Sequence, residues 1–97
     1  MILRVYHARV YAGQEAEFER QFRADALPQM RRQPGLISIQ VGRGLEGAPE
    51  FIILSRWRDL DALRPYAGEG WQAPPSLHPA AGVPEEASVE HYLDIDV

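Results

Sequence analysis

Three features of the sequence predict an α+β fold, a four-stranded antiparallel sheet with both of its helices on one face. The break Gln33-Pro34-Gly35 leads into a β-branched run, Leu36 to Val41. The segment Glu50 to Trp57 is an apolar strand that passes through Asp59 into a helical pattern. Strand-like alternation also stands at both ends of the chain, with a helical stripe after the first strand. The order is therefore β-α-β-β-α-β, the ferredoxin-like split βαβ arrangement. At 97 residues the chain is expected to be one domain, 1–97, able to bury one modest core.

The first strand is read over residues 2–11, with Ile2, Tyr6, Ala8 and Val10 on one side and Leu3, Val5, His7 and Tyr11 on the other. Ala12-Gly13 ends it. From Gly13 or Gln14 a helix of about 15–20 residues follows, because Phe18, Phe22, Ala26 and Met30 recur every fourth residue. Glu15, Glu17 and Glu19 suit its positive N-terminal end, and Arg31 and Arg32 its negative one. Pro28 removes a backbone donor and is expected to kink the helix or restart it as a last turn.

The second strand is placed at 36–43 and the third at 50–57, joined by a hairpin through Gly42, Gly44, Gly47 and Pro49. These two are expected to be the central strands. Asp59 is the expected cap of a second helix over Leu60, Leu63 and Tyr66, cut short by Pro65 and Gly68. Residues 68–86 read as a long excursion with one turn near Trp71, and 87–96 as the fourth strand.

A sheet with helices on one face only should be polar on the other. Here Phe51 and Ile53 alternate with Ile52 and Leu54, Ile37, Ile39 and Val41 oppose Leu36, and the first strand is apolar on both sides. A second apolar face needs a second cover, and the expected cover is another copy of the chain, a homodimer through the open sheet face.

Composition removes several kinds of chemistry. The net charge is −4 with no basic cluster, so nucleic acid is not an expected partner. The chain has no Cys, hence no disulfide, thiolate nucleophile or zinc–thiolate site. It has no Lys, hence no Schiff-base lysine. A general base must be His, a carboxylate, Tyr or water. His7, His78 and His91 lack close ligand spacing, so no metal is expected. The serines lack a nucleophile elbow, and the glycines of the hairpin do not precede a helix as a phosphate loop requires. No apolar run spans a bilayer and the first residues do not read as a signal peptide, so no membrane partner is expected and the expected location is cytoplasmic.

Taken together, the Phe18/Phe22 helix, Pro34-Gly35 before the second strand, Glu50 to Trp57 before an Asp59-capped helix, and the closing Val89-Glu90-His91-Tyr92 resemble the antibiotic-biosynthesis monooxygenase (ABM) family of dimeric α/β barrels. The resemblance covers about residues 1–95. It implies a ligand cavity between the helices and the sheet of each subunit. It further implies a cofactor-independent monooxygenase acting on a small aromatic, polyketide-like molecule. A related branch degrades haem; its Asn, Trp and His positions look like His7, Tyr66 and His78 here, and two of the three residues differ.

The candidate catalytic residues are His7, His91 and Tyr66. His7 shares a face with Leu3 and Val5, and reaches the cavity only if that is the helix side. His91 alternates with Val89 and Leu93. Tyr66 offers a ring to the core and a hydroxyl to the cavity. The candidate substrate-binding residues are Trp71, His78 and Phe22; Trp71 either plugs the core or roofs a pocket. In the monooxygenase reading a base, His7 or His91, removes a substrate proton and Tyr66 or the Trp71 indole stabilises the resulting oxyanion or peroxide. The rival readings are a non-catalytic ligand-binding or regulatory dimer of the same fold, and a haem-binding or haem-degrading protein.

Overall fold

The computed structural model describes residues 1–73, 84–95 and 97. Four strands, β1 (Ile2–Arg9), β2 (Leu36–Arg43), β3 (Glu50–Trp57) and β4 (Glu86–Leu93), form one antiparallel sheet in the order β2-β3-β1-β4. Helices α1 (Glu15–Gln21), α2 (Leu27–Arg31) and α3 (Leu60–Ala67) complete the α+β ferredoxin-like fold. The central strands are β1 and β3, which corrects the expectation for strand two: β2 is an edge. The split βαβ connection leaves a gap between β1 and β2, and β3 fills it.

Register decides what each face carries. Tyr6 lies opposite Ile53 and Val89, and Arg4 opposite Ser55 and His91. Ile2, Arg4, Tyr6 and Ala8 therefore share the helix face with Phe51, Ile53, Ser55, Trp57, Val89 and His91. Leu3, Val5, Ile52 and Leu54 form the apolar centre of the open face, bordered on β2 by Ser38, Gln40 and Gly42. A β-bulge between Leu36 and Ser38 sets Leu36 opposite Trp57 and Ile39 opposite Ser55, so both turn toward the helices. Simple alternation, which opposed Leu36 to Ile39, is broken by that extra residue.

Helices α1 and α2 make one arm joined by a wide π-turn, Phe22–Ala26, where the Leu27 N–H bonds the Phe22 carbonyl. The disturbance expected at Pro28 takes this form, because the proline offers no N–H and its ring crowds the preceding turn. The wide turn also suits the stripe: a four-residue spacing outpaces the 3.6 residues of an α-turn, and the extra residue keeps Phe18, Phe22 and Met30 buried together. Helix α3 begins as expected, with Asp59 Oδ1 accepting the Ala62 N–H at 2.8 Å. Pro65 lies inside α3 rather than ending it; Gly68, at φ 80°, ends it.

The core between helices and sheet has two parts. Phe22, Met30, Ile53, Trp57 and Leu63 form the larger, and Ala8, Val10, Phe18 and Phe51 the smaller. The Phe18 and Phe51 rings lie 4.7 Å apart. Helix α3 comes so near the start of β2 that a Cβ on Gly35 would stand 2.1 Å from the Ala62 Cβ. That is why glycine follows Pro34: the position has room for a backbone only.

Candidate functional site

The helix face of β1 carries one residue that its apolar surroundings do not explain. Arg4 is 6% exposed and sits between Ile2 and Tyr6 on a central strand. Its Nη1 donates to the Trp71 carbonyl at 3.1 Å and lies 3.0 Å from His91 Nε2. Guanidinium can only donate, so Nε2 accepts and the imidazole proton resides on Nδ1. The Trp71 ring meets His91 edge-on at 4.8 Å. Beside them Tyr66 stacks on Trp57 with centroids 5.3 Å apart and planes 22° from parallel. The Trp57 indole N–H is spent within the core, on Ser55 Oγ at 2.9 Å.

The electrostatics follow from burial around a cation. His91 is held below its ordinary 6.5, first by burial and then by the Arg4 charge. Burial raises Tyr66, and the opposing pull of Arg4 is smaller. Burial raises Tyr6 as well, with Tyr66 adding to it and Arg4 opposing. Arg4 is itself lowered by burial, with Tyr66 and Tyr6 acting the other way. At neutral pH the cluster thus offers a neutral imidazole, two protonated phenols and a guanidinium that keeps its charge.

The sequence candidates divide accordingly. His91, Tyr66 and Trp71 come together on the helix face. Trp71 packs on the core and meets His91 with its ring edge. Phe22 belongs to the buried core against which Tyr66 and Trp71 pack. His78 lies outside the described residues. His7 is a correction: it faces the open side of the sheet, its side chain 46% exposed and Nε2 3.7 Å from Glu50 Oε2. The reason is the pleat, which sends Leu3, Val5 and His7 away from the helices once Arg4 and Tyr6 face them. On β1 the inward aromatic is therefore Tyr6. Arg4 was not among the candidates, although its signal was in the alternation: a charge between Ile2 and Tyr6 on the inward side of a strand.

The open face holds a hollow of about 480 Å³, lined among others by Leu3, Val5, Leu54, Arg56 and Ile95. Arg56 pairs there with Asp94 Oδ2 at 2.5 Å. Among the described residues no three His, Asp or Glu side chains gather as a metal site, and no helix is long and apolar enough to cross a membrane.

Solved structures with the same fold include a mutant form of SnoaB, a cofactor-independent oxygenase from Streptomyces nogalater. It is 22% identical with a TM-score of 0.74, over 99% of this chain and 94% of that one. The heme-degrader MhuD from Mycobacterium tuberculosis is 23% identical with a TM-score of 0.73, over 100% of this chain and 99% of that one. At such identities the likeness is one of fold. Among curated proteins, none matches the chain. The family model described as antibiotic biosynthesis monooxygenase matches residues 1–69, a stretch that runs from β1 through α3 and includes Arg4, Tyr6, Trp57 and Tyr66; the chain belongs to that family.

Proposed function

We propose that the protein is a cofactor-independent monooxygenase that oxidises a small aromatic, polyketide-like substrate held between the helices and the sheet. The observation that carries this reading is the neutral His91 at the edge of Trp71, beside buried Arg4 and Tyr66. An activated CH₂ group, as in an anthrone, loses a proton to the base and becomes a carbanion delocalised onto its ring oxygen. The carbanion gives electrons to dioxygen and, after protonation, becomes a hydroperoxide. Loss of water, which takes the second C–H hydrogen, leaves a carbonyl. One oxygen atom enters the product and the other leaves as water.

In this scheme His91 is the base, its Nε2 lone pair exchanging the Arg4 N–H for the substrate proton. Tyr66 and Tyr6, kept protonated by burial, donate to the developing oxyanion or peroxide. The Trp71 ring packs against the substrate. The open sheet face, apolar at Leu3, Val5, Ile52 and Leu54, pairs with a second copy of the chain. Oxygen uptake with a model anthrone tests the reading. Wild type is expected to consume oxygen and His91→Ala to lose about a hundredfold or more, the usual range for a general base. No uptake by wild type from mildly acid to alkaline pH would overturn it.

The non-catalytic reading keeps the same site and predicts binding of aromatic molecules without turnover. The haem reading has less support, because His7, the β1 position it needs, faces away from the helices. A Soret shift on adding hemin would reinstate it.

A further inference from the structure

Arg4 poses a problem of charge. It is buried in an aromatic cluster, and among the described residues no ion pair reaches it. The acidic residues of the neighbouring strands face elsewhere: Glu50 pairs with Arg9, and Glu90, opposite Val5, lies on the open side. The stretch 74–83 contains no Asp or Glu, and Asp96 lies outside the described residues. A partner subunit on the open face would meet Leu3 and Val5, not the guanidinium. A buried cation without a counter-charge is costly to keep, and it favours whatever anion enters beside it.

The hydrogen-bond inventory shows where such an anion fits. Nη1 is engaged by the Trp71 carbonyl and His91 Nε2. Nε and Nη2 meet no acceptor among the described residues. Among the described residues half of the guanidinium fork is thus left for a ligand, next to the rings of Trp71, Tyr6 and Tyr66. A planar fork with free donors matches a carboxylate or phenolate better than a neutral carbonyl.

We propose that Arg4 is the specificity anchor of the site, and that it binds an ionised oxygen carried on the aromatic ring of the substrate. The proposal rests on the reading above that an aromatic molecule occupies the space between helices and sheet, and it narrows that molecule to an anion.

The test is binding without turnover, so it stands apart from the oxygen-uptake assay. Titrate wild type with 2-naphthoate and with its neutral isostere 2-naphthamide, following tryptophan fluorescence. Wild type should prefer the naphthoate by about tenfold or more, the weight of a hydrogen bond to a charged group. Arg4→Gln should bring the two ligands to similar affinities, and Arg4→Lys should keep part of the preference. A merely structural Arg4 would weaken both ligands alike and leave their ratio unchanged. Equal affinities in wild type, or no naphthoate binding at millimolar concentration, overturn the proposal without recourse to a variant. A naphthoate preference with no anthrone oxidation would keep the anchor and remove the oxygenase.

Discussion

Arg4 Nη1 donates to His91 Nε2 at 3.0 Å, and this contact fixes the imidazole as the neutral tautomer with its proton on Nδ1. Protonating His91 would set two cations against each other in a half-buried site. Its folded-state pKa therefore lies below the ordinary 6.5, with burial the larger cause and Arg4 the second. The folded protein binds fewer protons than the unfolded chain in that range, so this contribution to stability is complete above pH about 6.5 and is lost as the pH falls through the folded value. Thermal unfolding between pH 8 and 5 should show a falling melting temperature. His91→Gln, which keeps an acceptor for Arg4 without titrating, should flatten the slope. An equal slope in both proteins would contradict the assignment.

The two histidines of the outer and inner faces should separate cleanly in function. His7→Ala, on the open side of β1, should leave oxygen uptake within about twofold of wild type, while His91→Ala should lower it by about a hundredfold or more. Steady-state rates with the same anthrone compare them. A larger loss at His7 would place the chemistry on the wrong side of the sheet.

Gly35→Ala should destabilise the protein by about 1–3 kcal/mol through overpacking, because its new Cβ would fall 2.1 Å from that of Ala62. Ala62→Gly alone should cost about 1 kcal/mol of helix propensity. The double variant should be less destabilised than the sum of the two, since each substitution makes room for the other. Urea unfolding of the four proteins measures the coupling.

Asp59→Ala should cost about 1 kcal/mol, the usual loss on removing an N-cap side chain, here the acceptor of the Ala62 N–H. Asp59→Ser should recover most of it. Chemical denaturation is sufficient, because the slope with denaturant should stay constant while the midpoint moves.

Leu54 stands 38% exposed at the centre of the open face, within the apolar group of Leu3, Val5 and Ile52. If that face pairs with a second copy, wild type should show the mass of two chains by light scattering. Leu54→Arg should shift it toward one chain, since a buried, unpaired charge opposes association. A single-chain mass for wild type at tens of micromolar would remove the homodimer.

Much of the fold is legible in the sequence alone. Local chemistry at Pro34-Gly35, the Asp59 cap and the Phe18, Phe22 and Met30 stripe needs only neighbouring residues to be understood, and each element appears where those signals stand. The bulge at Leu36/Ser38 and the edge position of β2 were not legible, because both depend on pairing with β3, far along the chain. Pro65 misled for a related reason: in an eight-residue helix it removes only the bond to the Asp61 carbonyl, which the rest of α3 outweighs.

The sequence by itself determined the element order, the antiparallel sheet with helices on one face, and a family resemblance resting on residues of the first two-thirds of the chain and of the last strand. Alternation also determined that Arg4 and His7 lie on opposite sides of β1. Which side was inside could be decided only when β3 and β4 took their places, because a period of two sorts residues into faces without saying which face the helices cover. That choice carried Arg4 and His91 inward, to the face that α3 covers with Tyr66, and left His7 on the open side. It also set a guanidinium beside an imidazole 87 residues away in sequence. Long-range packing alone makes such a contact.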